Sequence, residues 1–142
     1  MPEIVKEFNI EAPVERTWEA ISTTDNLKSW WTDDSLSEAK LGGKAEFGFH
    51  NRETVFTMET TLFDVNEFQE WRCLNGPDKW IGTNVSFELE PKDGGTHVRF
   101  EHRNLRDEGE EYNKTKKTWD GVLARLKDYV EGKEPGPYFK NG

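Results

Sequence analysis

The sequence has few of the residues that mark secreted or membrane-spanning proteins. Cys73 is the only cysteine among 142 residues, so no intrachain disulfide can form and nothing points to an oxidising compartment. No stretch approaches the roughly 18 consecutive apolar residues of a membrane-spanning helix. No basic segment followed by an apolar run predicts a secretory signal. We therefore expect a cytoplasmic protein without a membrane span.

Basic residues are scarce. Lys and Arg number 19 against 28 Asp and Glu, which gives a formal net charge of -9. Nucleic acids and anionic lipid surfaces repel such a protein, so we expect no nucleic-acid partner. The short basic run 114–117 follows an acidic run at 107–111. That order suits a helix with acidic residues near its N-terminus and favours a solvated helix face.

Motifs of catalysis and metal binding are also missing. The three histidines, His50, His97 and His102, form no pair at metal-ligand spacing. Neither a G-x-S-x-G motif nor a glycine-rich phosphate loop is present. Cys73 shares the inward parity of Trp71, which predicts a small buried hydrophobic residue and not a nucleophile. We expect no metal, no cofactor and no catalytic residue.

Aromatic residues, in contrast, are plentiful. They make up 13% of the chain, with 6 Trp and 9 Phe, although the hydrophobic fraction is only 33%. A disordered chain is poor in aromatics, so this composition predicts a globular protein. Much of its apolar surface belongs to a few large aromatic rings, and such rigid rings can line a cavity that stays open.

The first part of the chain predicts a strand and two helices. Ile4–Ile10 has the alternation of a strand. Val14, Trp18 and Ile21 recur at helical spacing and predict a helix from about Pro13 to Ser22. A second, short helix follows and stops near Trp31. Residues 32–43 are predicted to be mostly loop, with room for a brief edge strand.

The rest of the chain predicts strands and then one long helix. Five segments alternate apolar and polar residues, among them 45–49, 71–73, 85–89 and 98–102, and Phe56, Met58, Thr60 and Leu62 share one parity in the fifth. A long amphipathic helix is predicted from near Asp107 to just before Gly132. We expect one domain over residues 1–142, with its core at about 4–132 and a tail at 133–142.

This order of elements predicts an α+β helix-grip fold. A curved antiparallel β-sheet of about six or seven strands must cover its apolar face, and only the long C-terminal α-helix is large enough to do so. The two short helices follow the first strand. A curved sheet and a single helix leave a gap between them, and aromatic-lined gaps with few polar groups are the usual form of small-molecule sites.

Three segments strengthen this interpretation: APVERTWEAISTTDNLKSWW, WIGTNVSFELEPKDGGTHVRFEH and TWDGVLARLKDYVEG. Together they resemble the START/Bet v 1-like superfamily, and within it the group named after the activator of Hsp90 ATPase. The resemblance covers about residues 4–132. It implies carriers of lipids or hydrophobic metabolites, polyketide cyclases, resistance proteins that sequester toxic metabolites, or a co-chaperone domain.

Three functional hypotheses follow from this resemblance. The first is non-catalytic binding of a small hydrophobic molecule, such as a lipid or a polyketide or aromatic metabolite, between the sheet and the long helix. The second is an interaction module whose partner is an Hsp90-type chaperone. The third is a cyclase- or hydrolase-like enzyme that uses His102. The chain is expected to be a monomer or a homodimer.

The candidate binding residues share a predicted position on the concave side of the sheet, on the facing helix or at the cavity mouth. They are Trp31, Phe47, Phe49, Phe56, Met58, Thr60, Trp71, Cys73, Trp80, Phe87, Phe100, His102, Tyr112, Trp119 and Leu123. The same pattern also fits an ordinary core, and Trp80 either covers a cavity mouth or caps the sheet edge.

His102 is the polar residue of greatest interest among them. Its strand parity places it inside with Val98 and Phe100, facing the long helix. A buried imidazole needs hydrogen-bond partners. We expect either that Tyr112 or a backbone group satisfies it, or that it anchors a ligand.

Trp30 and Trp31 stand side by side in the second helix. Adjacent residues on a helix differ in direction by about 100°, so the two rings must meet different surroundings. We expect one ring to be a structural plug and the other, Trp31, to border the cavity entrance.

Overall fold

The structure is a computed structural model that describes residues 3–105 and 109–140. The helices and strands follow one another along the chain in the order expected from the sequence. The elements are β1 Ile4–Ile10, α1 Val14–Ser22, α2 Thr24–Trp30, β2 Asp34–Ser37, β3 Lys44–Phe49, β4 Thr54–Asp64, β5 Phe68–Asn75, β6 Asn84–Lys92, β7 Gly95–Arg103 and α3 Glu110–Val130.

Within these described ranges the seven strands form one antiparallel sheet in the order β1-β7-β6-β5-β4-β3-β2. The sheet is curled into a half-barrel, and α3 packs along its concave face. The concave face is apolar because every second residue of a strand points to the same side. Phe47, Met58, Trp71, Phe87 and Phe100 are all fully buried there. The predicted helix-grip fold is confirmed.

The two short helices close one end of the half-barrel. In α1, Trp18 and Ile21 are buried on the inward stripe, and the Trp18 ring meets Phe63 edge-on at 5.2 Å between centroids. In α2, Leu27 and Trp30 are buried. Part of the segment predicted to be loop forms the short edge strand β2.

One residue of β4 departs from the expected alternation. Leu62 is 45% exposed, whereas Phe56, Met58 and Thr60 are buried. The pairing of β4 with β5 shifts register between Thr60 and Leu62. A β-bulge adds one residue to one strand and reverses the faces beyond it, so Leu62 turns to the solvent side.

The long helix α3 presents one apolar face to the sheet. Trp119, Val122 and Leu126 are buried on that face. The chain leaves the helix at Gly132, whose φ of +97° is a left-handed conformation that glycine adopts without strain. The predicted start near Asp107 lies outside the described residues. Among those residues, no helix is long and apolar enough to cross a membrane.

Residues 133–140, predicted to be a tail, fold back over the molecule. The backbone N–H of Phe139 donates to the carbonyl of Trp31 at 2.8 Å, and the N–H of Asp33 donates to the carbonyl of Phe139 at 3.2 Å. These bonds pair the segment in parallel with the chain just after α2. We call residues 133–140 the strap.

Candidate functional site

A cavity of about 370 Å³ lies at the N-terminal half of α3, between that helix, the turn joining β3 to β4, and the strap. It is partly open to solvent. Its inner wall is formed by apolar side chains from six separate parts of the chain. They are Trp31, Phe49, Phe56, Trp80, Trp119, Val122 and Phe139.

Polar side chains surround the mouth of this cavity. Two come from the end of the β3–β4 hairpin and four from successive turns of α3. They are His50, Thr54, Glu111, Lys114, Thr115 and Thr118. The mouth therefore carries both signs of charge and several hydroxyls, while the inner wall is aromatic. Such an arrangement suits a ligand with an apolar body and a small polar end.

The aromatic wall is continuous because the rings pack on one another. Phe49 and Phe56, from neighbouring strands, meet edge-on at 5.2 Å between centroids. Phe139 of the strap meets Phe49 edge-on at 4.9 Å. Trp80 meets Phe56 edge-on at 4.5 Å. Edge-to-face contacts of this kind hold rings in fixed orientations, so the wall is pre-formed.

Trp80 lies in a turn that precedes β6. Its backbone N–H donates to the carbonyl of Pro77 at 2.8 Å, and its own carbonyl accepts from the Thr83 hydroxyl at 2.6 Å. The turn holds the indole over His102, with 4.4 Å between ring centroids. Trp80 thus separates the buried imidazole from the cavity.

The turn that joins β3 to β4 is held in an uncommon backbone conformation. His50, Asn51 and Arg52 have φ of 54°, 56° and 68°, which is the left-handed region that few residues other than glycine adopt. Arg52 is paired with Asp34 at 2.6 Å and with Glu46. These ion pairs anchor the turn, and the turn places His50 at the cavity mouth.

His102 is completely buried and both of its ring nitrogens are bonded within the protein. The indole N–H of Trp119 lies 3.2 Å from Nδ1, and Nε2 lies 3.0 Å from the Thr83 hydroxyl. The Thr83 hydroxyl already donates to the carbonyl of Trp80, so it accepts from Nε2–H. The ring is therefore neutral and protonated on Nε2. Burial lowers the pKa of His102 to about 3.

The expected partner of His102 was Tyr112 or a backbone group, and this was wrong. The Tyr112 hydroxyl donates instead to the carbonyl of Glu3 at 3.0 Å. Trp119, two turns further along α3, faces the strand at the level of His102. Because an indole N–H only donates, it selects the tautomer of the imidazole it meets.

Trp31 occupies the middle of the space between the sheet and α3. Its ring lies 4.2 Å from Phe47, 5.4 Å from Trp119 and 6.2 Å from Trp71 between centroids, and it is nearly parallel to Trp71. The interior of the grip is therefore filled by side chains, and the open volume is displaced to the N-terminal end of α3. Trp30 does not line the cavity.

All but one of the fifteen candidate binding residues fall into two groups. Five line the cavity: Trp31, Phe49, Phe56, Trp80 and Trp119. Nine others are buried beneath it: Phe47, Met58, Thr60, Trp71, Cys73, Phe87, Phe100, His102 and Leu123. The remaining one, Tyr112, is half-buried near β1 and does not line the cavity.

Some lining residues were not predicted, although the sequence holds signals for most of them. Glu111, Thr115, Thr118 and Val122 follow one another at spacings of four, three and four, which defines a single face of a helix. Phe139 lies in a segment with two prolines and two aromatics, and exposed aromatics in a polar tail indicate docking. No comparable signal marks His50, because the turn conformation that places it is not encoded by a glycine.

Two observations on the described residues concern metal ligands and the cysteine thiol. No group of three or more His, Cys, Asp or Glu side chains that suits a metal ion occurs within residues 3–105 and 109–140. Cys73 is buried, its Sγ donates to the carbonyl of Asn75 at 3.3 Å, and burial raises its pKa to about 11. A protonated thiol is a poor nucleophile.

Several solved structures have a fold similar to that of this chain. The Aha1 dimer from Colwellia psychrerythraea is 32% identical, with a TM-score of 0.83 over 93% of this chain and 98% of that one. Protein MLL2253 from Mesorhizobium loti is 20% identical, with a TM-score of 0.80 over 92% and 97%. Protein SSP2350 from Staphylococcus saprophyticus is 16% identical, with a TM-score of 0.77 over 92% and 93%. The last two similarities show the fold alone.

Among curated protein sequences, none matches this chain. The sequence model of one family does match, over residues 11–131, and that family is described as Activator of Hsp90 ATPase homolog 1-like protein. The matched range includes all three described helices and every described strand except β1, which ends at Ile10. The chain therefore belongs to the Activator of Hsp90 ATPase homolog 1-like family.

Proposed function

We propose that the protein binds a small hydrophobic molecule in the aromatic cavity, without a catalytic step. The observation that carries this proposal is a pre-formed apolar wall of seven side chains that remains open to solvent. Ligand pockets have volumes of roughly 300–1,000 Å³, and 370 Å³ lies at the small end of this range. A fatty acid fragment or a polyketide or aromatic metabolite of two or three rings is the class that fits.

The polar mouth adds to this proposal by suggesting how a ligand is oriented. Thr115 and Thr118 project from α3 beside the aromatic wall, and His50 and Thr54 face them from the hairpin. A ligand hydroxyl or carbonyl at this level meets hydrogen-bond donors and acceptors, while the apolar body of the ligand contacts Trp31. A few polar groups in an otherwise apolar pocket usually orient a ligand in this way.

A blocking variant tests the proposal. Thr118→Phe puts a ring into the cavity from α3 without altering the core, and Lys117→Phe puts the same ring on the exposed side of the helix as a matched control. The probe is N-phenyl-1-naphthylamine, a neutral aromatic dye, measured by fluorescence titration and by native mass spectrometry. We expect the wild type and Lys117→Phe to bind one dye molecule and Thr118→Phe to lose about tenfold or more in affinity.

Two results would contradict the proposal. One is wild-type protein that takes up neither the dye nor any of a panel of fatty acids, flavonoids and aromatic polyketides at high micromolar concentration. The other is equal affinity in Thr118→Phe and Lys117→Phe, which would place the dye elsewhere. Thermal melts of both variants show whether each remains folded.

Regulation of an Hsp90-type chaperone is a second candidate function. It is favoured by the family itself, whose name refers to activation of the Hsp90 ATPase. Its test is ATP turnover by Hsp90 at saturating concentrations of this protein, where unchanged turnover contradicts it. The enzymatic hypothesis that uses His102 gains no support, because both ring nitrogens are engaged and Trp80 lies between the ring and the cavity.

A further inference from the structure

The strap contributes one whole side of the cavity. Phe139 is its only residue that lines the cavity among those the structure describes. Its ring contacts Phe49 of β3. Its backbone N–H donates to the carbonyl of Trp31, so the two residues lie side by side. Without the strap, the cavity would be an open groove along α3. On the side of the strap, the limit of the space that a ligand can fill is therefore set by a single side chain.

The strap is held to α3 by a specific latch. One terminal nitrogen of Arg125 donates to the carbonyls of Pro135, Gly136 and Pro137 at 2.8, 3.0 and 3.3 Å. The same guanidinium lies over the ring of Tyr138, 5.5 Å from its centroid. A guanidinium is planar, so it can donate to carbonyls while its face stacks on an aromatic ring, a geometry that a lysine ammonium does not offer.

The surface of α3 is shaped to receive the strap. A Cβ added at Gly121 would stand 2.6 Å from the Tyr138 ring, so a larger residue would push the ring away from the helix. Glycine in a helix interior is unfavourable by about 0.5–1 kcal/mol relative to alanine. The helix thus carries an unfavourable residue at the point where the Tyr138 ring of the strap rests. Pro135 and Pro137 restrict the free strap and reduce the entropy lost when it docks.

We propose that Phe139 is the residue that limits ligand size in the aromatic cavity, and that Arg125 and Gly121 are the positioning residues that hold it there. This inference rests on the proposed binding function and specifies it. With the strap closed, the Phe139 ring ends the cavity on the side of the strap, and a small ligand fits against it. A bulkier ligand of the same class, which extends past this ring, requires the strap to lift or the ring to be removed.

The test compares a small and a large probe on four proteins. The probes are N-phenyl-1-naphthylamine and its larger relative with two anilinonaphthalene units, bis-ANS. The proteins are the wild type, Phe139→Ala, Phe139→Leu and Gly121→Ala. We expect Phe139→Ala to weaken the small probe about tenfold and to bind the large probe about tenfold more tightly, with Phe139→Leu in between. Gly121→Ala should raise both the association and dissociation rates of the small probe.

A second measurement does not depend on any ligand. The rate of hydrogen exchange is measured at the Phe139 N–H, which donates to the Trp31 carbonyl. The amides of α3 serve as the reference. Release of the strap in Gly121→Ala or Arg125→Ala should speed exchange at Phe139 by about tenfold or more while the α3 amides stay protected. Arg125→Lys, which keeps the charge but loses the planar face over Tyr138, should exchange at an intermediate rate.

The outcomes separate the two proposals. If the wild type binds neither probe but the exchange data show a released strap in the variants, the binding function fails and the latch stands. If the wild type binds the small probe and Phe139→Ala leaves the ratio of the two affinities unchanged, the size limit is overturned and the binding function stands. Unchanged exchange at Phe139 in both latch variants overturns the positioning roles of Arg125 and Gly121.

Discussion

The indole N–H of Trp119 donates a hydrogen bond to Nδ1 of His102 at 3.2 Å, and this contact joins the long helix to the sheet at the bottom of the site. It is the first link of a chain that continues through Nε2–H to the Thr83 hydroxyl and from there to the Trp80 carbonyl. Each donor in the chain has one acceptor. This series of hydrogen bonds fixes the turn that carries Trp80, and Trp80 forms part of the cavity wall.

The first prediction concerns pH, because this chain requires a neutral imidazole. The pKa of His102 is about 3 in the folded protein, against an ordinary value of 6.5. Between these values the unfolded chain binds the proton and the folded protein does not, so stability is lost as pH falls below 6.5 and is fully present above it. Between pH 7.5 and 5.5 this one group should remove about 1.4 kcal/mol from the free energy of unfolding.

Urea unfolding at the two pH values measures this effect. His102→Gln has no imidazole at this site, so its loss of stability between pH 7.5 and 5.5 should be smaller than that of the wild type by about the same 1.4 kcal/mol. His50→Gln, which removes an exposed histidine at the cavity mouth, is the control for loss of an imidazole. Identical losses in the wild type and His102→Gln would show that His102 is not the group responsible.

Much of the fold was predictable because it depends on local periodicity. Val14, Trp18 and Ile21 repeat at helical spacing, and Phe47 and Phe49 at strand spacing, so both elements were recognised from the sequence. Leu62 was placed on the wrong face because a β-bulge leaves no mark in the apolar pattern. The register shift depends on how β4 pairs with β5, and pairing is a property of two strands.

The site was less predictable, because it depends on how far each ring reaches. Trp31 and Phe47 share the inward side, yet only Trp31 lines the cavity, since the large indole packs over Phe47. Parity decides which side a residue faces, and packing decides whether it meets open space. The position of Phe139 depends on a docking segment held by Arg125, which neither periodicity nor parity addresses.

A second prediction concerns the thiol of Cys73. Burial raises its pKa to about 11, and the Sγ–H donates to the Asn75 carbonyl. Because the thiolate is the reactive form, at pH 8 only about one thiol in a thousand should be ionised in the folded protein. We expect negligible reaction with a disulfide reagent such as 5,5'-dithiobis(2-nitrobenzoic acid) over an hour at pH 8, and complete reaction in 8 M urea (about the usual denaturing concentration). Rapid labelling of protein that remains folded would contradict it.

A third prediction concerns Gly48, which pairs with Asp34 between β3 and β2. A Cβ at Gly48 would stand 2.2 Å from Oδ2 of Asp34, the carboxylate that anchors Arg52. Gly48→Ala should therefore cost about 1–3 kcal/mol of stability through overpacking. The cost should be mostly relieved in a Gly48→Ala, Asp34→Ala double variant, measured as a double-mutant cycle by urea unfolding. Additive losses would mean that the carboxylate is not the obstacle.

The fourth prediction concerns Trp30, whose role differs from that of the adjacent Trp31. The Trp30 ring is fully buried and its N–H donates to the Ala20 carbonyl at 2.8 Å, which ties α2 to α1. Trp30→Phe leaves that buried carbonyl without its partner, which should cost about 1–3 kcal/mol of stability. Since Trp30 does not line the cavity, the affinity for N-phenyl-1-naphthylamine should stay within about twofold of the wild type.

Trp31, in contrast, should affect both stability and binding. Trp31→Ala removes the ring between Trp71 and Trp119 and should cost about 3–5 kcal/mol, as large-to-small changes in a core do. The space released adjoins the cavity, so the variant should bind bis-ANS more tightly than the wild type does. Trp31→Phe keeps part of the plug and separates the two effects in case Trp31→Ala is too unstable to assay. A Trp31 variant that loses stability with no change in probe preference would mean that the ring is core alone, since an enlarged cavity must alter which probe fits.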